Sequence, residues 1–147
     1  MRLRSATVAD VPVILAIQRE TPSLSQWTQR QYEDIFAPNS RRIAAVMEEE
    51  SVVGFVVAHE ASQEWEIENI AVTASARRRG VATHLLQHAV EVAADRGGRA
   101  VFLEVRELNH SARRLYEKHG FVLSGRRRHY YVDPVEDALV YSLPLRH

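Results

Sequence analysis

Residues 64–106 constrain the fold most tightly, because they read as strand, helix, strand in one unbroken stretch. Residues 64–72 have strand character, with Trp65, Ile67 and Asn69 expected on one face. From Gly80 to Arg96 the apolar set Val81, Leu85, Leu86, Ala89, Val90 and Ala93 follows helical spacing. Gly97-Gly98 ends that helix, and residues 100–106 form a second strand. A crossover of this length predicts a βαβ unit, with its two strands parallel in one sheet.

The rest of the chain builds around that unit. A short strand is expected at residues 2–6. Thr7 and Asp10 then have capping-box spacing ahead of a helix carrying Val11, Ile14, Leu15 and Gln18, with Pro12 in its first turn. Residues 28–36 read as a weaker helix opened by Ser25 or Thr28. Residues 42–48 and 52–59 flank Glu49-Glu50-Ser51 as a hairpin. Residues 110–119 form a helix closed by Gly120, and residues 121–131 and 138–143 form two final strands joined through Asp133-Pro134. The predicted order is β-α-α-β-β-β-α-β-α-β-β. The class is therefore α/β with an α+β arrangement, a mixed sheet of about seven strands flanked by about four helices. No linker or repeat divides residues 1–147, so a single domain is expected.

Composition removes several functions. Formal net charge is zero, so bulk attraction to nucleic acid or membrane is not indicated. There is no cysteine, which excludes disulfides, thiolate metal sites and a cysteine nucleophile. The N-terminus lacks an apolar signal region and no run has the length of a membrane span, so a cytoplasmic location is expected.

Two segments carry chemistry. Arg77-Arg78-Arg79-Gly80-Val81-Ala82 precedes a helix, whose first turn presents unpaired N–H groups and a positive dipole end. Gly80 permits close backbone approach, Ala82 keeps the turn small, and the arginines add charge for phosphate. A solvated basic turn is the alternative. The stretch lacks the Gly-Lys-Ser/Thr ending of a triphosphate loop and the three glycines of a dinucleotide fingerprint.

The second segment is Leu103-Glu104-Val105-Arg106, followed by Asn109 and Tyr116. Glu104 points opposite to residues 101, 103 and 105. It is either paired with Arg106 or a neighbouring strand, or a general base acting directly or through water. Tyr116 is either a core tyrosine or a proton donor, and Asn109 is by default an N-cap. The three together suit acyl transfer from a thioester to an amine. An α-amine has a pKa of roughly 7.7–8.0 and needs only a modest base, whereas a lysine amine near about 10.4 demands more. A phenol can protonate the leaving thiolate, whose intrinsic pKa is about 8.5. Glu64, Glu66 and Glu68 form an acidic stripe, solvated or attracting a cationic amine. His84 and His88 have i, i+4 spacing without the glutamate of a metalloprotease pattern, so no metal is expected. Tyr130-Tyr131 is either cross-strand packing or a wall for the acceptor.

The run Asn69-Ile70-Ala71-Val72, the Arg77-x-x-Gly80-x-Ala82 loop and the Leu115-Tyr116-x-x-x-Gly120-Phe121 ending resemble the GNAT acetyltransferases, which use acetyl-CoA. Leu103-Glu104-Val105-Arg106-x-x-Asn109, Arg127-Arg128-x-Tyr130-Tyr131 and Glu136-Asp137-Ala138 resemble, within them, the bacterial ribosomal-protein alanine N-acetyltransferases (RimI). The resemblance implies that Ile70, Ala71 and Val72 offer backbone to the pantetheine arm. It implies that Arg77, Arg78, Arg79, Gly80, Val81, Ala82 and Thr83 surround the pyrophosphate and that Asn109 contacts the cosubstrate. Glu104 would accept a proton, Tyr116 would donate one, and two central strands would splay apart. The implied partner is a protein N-terminus, that of a ribosomal protein, with the enzyme monomeric or homodimeric. A small amine or a lysine side chain is the alternative acceptor. Ala82 stands where the family often has glycine and Arg77 where RimI proteins often have Gln. The first sixty residues match RimI poorly, apart from Trp27.

Overall fold

The computed structural model describes residues 1–132 and 134–146. Seven strands form one sheet: β1 (Arg2–Ser5), β2 (Arg42–Glu48), β3 (Val52–Ala61), β4 (Glu64–Val72), β5 (Ala100–Arg106), β6 (Val122–Val132) and β7 (Val135–Pro144). Four α-helices accompany them: α1 (Val11–Arg19), α2 (Gln29–Glu33), α3 (Val81–Asp95) and α4 (His110–Lys118). The spatial order is β1-β2-β3-β4-β5-β7-β6. Only β4 and β5 pair in parallel, joined through α3, and every other neighbour is antiparallel. The mixed sheet and the crossover are thus as the sequence predicts. Asp133, expected in the last hairpin turn, lies outside the described residues.

The sheet separates two apolar clusters. On one face, Leu85, Leu86, Ala89 and Ala93 of α3 pack with Trp65, Ile67, Val101, Leu103 and, from α4, Tyr116. On the other, Val11, Ile14 and Ile17 of α1 meet Tyr32, Val46, Phe55, Val57 and Ala71. Local signals set the helix ends. The Thr28 side chain accepts from Gln31 N–H in a capping box, opening α2, which finishes as a tighter turn at Asp34–Phe36. The Thr7–Asp10 box instead closes a single 3-10 turn ahead of α1, with Thr7 N–H donating to Asp10 at 2.8 Å. Gly97 and Gly120 take left-handed φ values of 76° and 90°, as helix-ending glycines do. No described helix is long and apolar enough to cross a membrane.

One expectation fails. Trp65 and Ile67 lie in the α3-side cluster, whereas Asn69 turns to the opposite face and donates to Tyr32 at 3.0 Å. The register explains this. Val57 pairs with Asn69 but Ala58 pairs with Ile67, which leaves Glu68 as an extra residue in β4. A bulge of one residue reverses the facing of everything beyond it.

Candidate active site

The parallel pairing of β4 with β5 ends at Ile67↔Leu103. Past that point β4 continues to Val72 and β5 to Arg106 with no register between them. The strands therefore splay where the Glu68 bulge redirects β4. Backbone that would be laddered in a closed sheet is left for another partner.

A groove of about 570 Å³ runs from this gap to the start of α3. Its lining includes Ile70, Ala71, Val72, Arg77, Arg78, Gly80, Val81, Ala82, Thr83 and Asn109. Gly80 is the N-cap of α3 with φ +80°, and Arg78 also has a positive φ of 64°. This turn lets the chain enter the helix with its first N–H groups facing the groove end, a geometry suited to an anion. Arg77 reaches back to the Val72 carbonyl, with Nε donating at 3.3 Å. Arg79 departs from the set: it forms an ion pair with Glu49 and does not line the groove. His84 Nδ1 lies 2.8 Å from the Gly80 carbonyl.

A smaller cavity of about 120 Å³ adjoins the groove on the other side of the gap, lined by Glu104, Glu68, Tyr131 and Tyr116 among others. Tyr116, Asn109 and Ile70 line both spaces, so they mark the junction. Asn109 caps α4, its Oδ1 accepting from Ala112 N–H at 3.2 Å. Tyr116 is buried between Phe121 and Tyr141 at ring distances of 6.0 and 6.4 Å. Burial pushes its phenol pKa up to about 12, so it keeps its proton at neutral pH.

Glu104 is largely buried and meets Arg127 of β6, Oε1 to Nε 3.3 Å. The Arg106 pairing open at the sequence level is not formed. Arg106 bonds Glu136 at 3.3 Å and lies 4.0 Å over the Tyr131 ring. Burial also raises the Tyr131 phenol, to about 12. Of the acidic stripe, Glu68 is held by Arg42 at 2.7 and 3.1 Å. Desolvation, then Glu68 and Glu104, raises the Glu66 carboxyl above its usual range. Glu64 is exposed. His59, Glu66 and Glu68 bring their ligand-capable atoms within 4.8 Å of one another, beside a cavity already rich in carboxylate.

Sequence reasoning missed the cover of the site. Thr21 and Ser23 line both spaces, and Leu24 and Ser25 line the smaller one. A buried network holds this loop. The Tyr32 hydroxyl donates to Gln18 Oε1, Gln18 also accepts from Trp27 N–H at 3.0 Å and donates to its carbonyl at 2.9 Å, and Asn69 donates to the Ser25 carbonyl at 3.2 Å. The available signal was Gln18, a polar residue on the apolar side of α1, which must find buried partners.

Comparison with known proteins agrees with this arrangement. A Bacillus subtilis (strain 168) relative is 29% identical over 139 residues, 94% of this chain and 91% of that protein. The ribosomal protein bS18-alanine N-acetyltransferase of Escherichia coli (strain K12) is 35% identical over 96 residues, which span 64% of this chain and 65% of that protein. The crystal structure of the ribosomal-protein-S18-alanine N-acetyltransferase from Escherichia coli superposes with a TM-score of 0.88 at 27% identity, covering 99% of this chain and 94% of that one. Residues 11–121 match the acetyltransferase (GNAT) family, so the chain belongs to that family of acetyl-transferring enzymes and carries its mixed seven-stranded fold.

Proposed function

We propose that this enzyme transfers acetyl from acetyl-CoA to the α-amine of a protein N-terminus, with a ribosomal protein beginning in alanine as the favoured acceptor. The observation that carries the reading is the junction at Tyr116. A phenol that keeps its proton there borders a groove ending in a phosphate-type turn and a cavity holding Glu104. The groove suits acetyl-CoA: β4 backbone at Ile70–Val72, paired with β3 but without a ladder on its β5 side, for an amide-bearing arm, then Arg77, Arg78 and Gly80–Thr83 for the pyrophosphate, with Asn109 at the inner end. The similarity to bS18-alanine N-acetyltransferases supports a protein α-amine as acceptor.

Glu104 accepts the proton from the acceptor ammonium, directly or through a water. The freed amine attacks the thioester carbonyl, the N–C bond forms and the C–S bond breaks. Tyr116 gives its proton to the departing thiolate and regains one from the nitrogen, which sheds its second proton as the amide forms, while Glu104 releases the first to water. No covalent enzyme species is needed, in keeping with a chain that has no cysteine. Glu66 and Glu68 make the acceptor side attractive to a cation.

The test is thiol release from acetyl-CoA with peptides of differing N-termini, each repeated with its α-amine blocked. Turnover of an alanine-initiated peptide that vanishes on blocking is the expected result. Turnover that survives blocking, or occurs only with small amines or lysine, would replace the acceptor while leaving the acetyl transfer intact.

A further inference from the structure

The ion pair between Glu104 and Arg127 has a consequence for acceptor entry. Arg127 does not neighbour Glu104 in the sheet, since β7 lies between their strands. Level with Glu104 the register gives Val140 and then Gly125. Level with Arg106 it gives Ala138 and then Arg127. Arg127 therefore reaches diagonally, across a position with only a methyl and beside one with no side chain. An irregularity in β6 supports this reach. Arg127 pairs with Ala138 and Tyr131 with Glu136, so three residues of β6 face the single residue Asp137. Asp137 fastens this bulge by accepting from His129 N–H at 2.9 Å and from Arg126 at 2.7 Å. The detour sets the Tyr130 ring 5.4 Å from the Arg127 guanidinium. Arg127 thus lies between an aromatic face and the carboxylate.

The two cation–carboxylate pairs of this wall differ. Arg42 grips Glu68 through two hydrogen bonds, at 2.7 and 3.1 Å. Arg127 makes one ion-pair contact at 3.3 Å, and its side chain is 58% exposed against 17% for Glu104. Arg127 is the more exposed partner, so it is the one that can leave toward water while Glu104 stays in the cavity lining. We propose, building on the assignment of Glu104 as proton acceptor, that Arg127 is a positioning residue: it occupies the Glu104 carboxylate until the acceptor's ammonium displaces it. The exchange trades one cation for another, so Glu104 stays aimed at the junction without ever being left unpaired.

The test compares Arg127→Gln and Arg127→Lys with the parent enzyme, using whichever amine the parent turns over, so a wrong acceptor class does not silence it. A pair whose cation is exposed is a weak competitor, so Arg127→Gln should lower acceptor KM about two- to fivefold, with a smaller change in kcat. Arg127→Lys should restore it, and the KM for acetyl-CoA should not follow. A KM that rises or stays fixed in Arg127→Gln overturns the proposal, as does a Lys variant that behaves like the Gln variant. Glu104→Gln, measured alongside, separates the two ideas. If it keeps full turnover, the proton-acceptor assignment fails. If it loses turnover while Arg127→Gln leaves KM unchanged, only the displacement fails.

Discussion

Replacing Tyr32 with phenylalanine removes one oxygen from the buried network under the Thr21–Thr28 loop. Tyr32 is fully buried, and burial raises its phenol to about 12. Its hydroxyl donates to Gln18 and accepts from Asn69 at 3.0 Å. The deletion does not strand either neighbour completely. Gln18 Oε1 retains Trp27 N–H, and the Asn69 amide retains the Ser25 carbonyl. The full penalty of an orphaned group therefore does not apply. What is lost is two hydrogen bonds worth about 0.5–1.5 kcal/mol each, so roughly 2 kcal/mol together. At about 3 °C per kcal/mol for a chain of this size, Tm should fall by roughly 6 °C. The same loop lines the smaller cavity and the groove, so on the proposed assignment the KM values for both substrates should rise. Thermal unfolding and steady-state kinetics on the one variant read both effects. A Tm within about 1 °C of the parent, with unchanged KM values, would falsify the claim that this network holds the loop.

Glu104→Gln and Tyr116→Phe should each lower kcat by about 10²–10⁴, the usual contribution of a positioned acid or base, with Tm little changed in the tyrosine variant. Thiol-release kinetics across a series of pH values checks both. Gly80→Ala places a Cβ with nothing nearer than His84 at 3.8 Å, so its penalty is the left-handed φ of +80° alone. That costs about 1–2 kcal/mol, and KM for acetyl-CoA should rise several-fold as the turn adjusts, with acceptor KM unaffected. Asp10 is held below the usual carboxylate range, first by its hydrogen bonds from Arg4 at 2.9 Å. Its contribution is therefore present above the unfolded-chain pKa of about 3.9 and is lost as pH falls through the lowered folded value. Asp10→Asn should lower Tm by roughly 6 °C at pH 7 and by progressively less below about pH 4, which scanning calorimetry at both pH values will show.

The fold was legible because its signals are local and mutually consistent. The α3 face, the Gly97-Gly98 stop and the strand on either side specify the crossover without tertiary information, and Asn109 is the cap its residue type suggests. Glu104, Tyr116 and Asn109 could be placed together because all lie on one β5–α4 unit of short sequence separation. Adjacency alone places Arg79 with the phosphate turn. Its direction is decided by Glu49, thirty positions earlier, and no local pattern encodes that. In the sequence Arg127 is only part of a motif, since its partner lies two strands away.

The misread face of β4 shows why such sites resist pattern reading. Strand alternation is a period of two, and an extra residue breaks the phase for everything after it. In this enzyme Glu68 is that residue, and the break is what makes the site. Without it, Asn69 would face α3 instead of Tyr32, and the loop over the cavity would lose its anchor. The parallel ladder with β5 ends at Ile67, the last residue before the bulge. The second large irregularity, from Arg127 to Tyr131, likewise falls where β6 reaches the same cavity, and it brings Tyr130 to Arg127 while Tyr131 lines the cavity wall. These two departures from ideal strand geometry therefore lie beside the cavity that Glu104 lines. The regular part of the sheet supplies rigidity, and these two interruptions supply the opening and side chains that surround it.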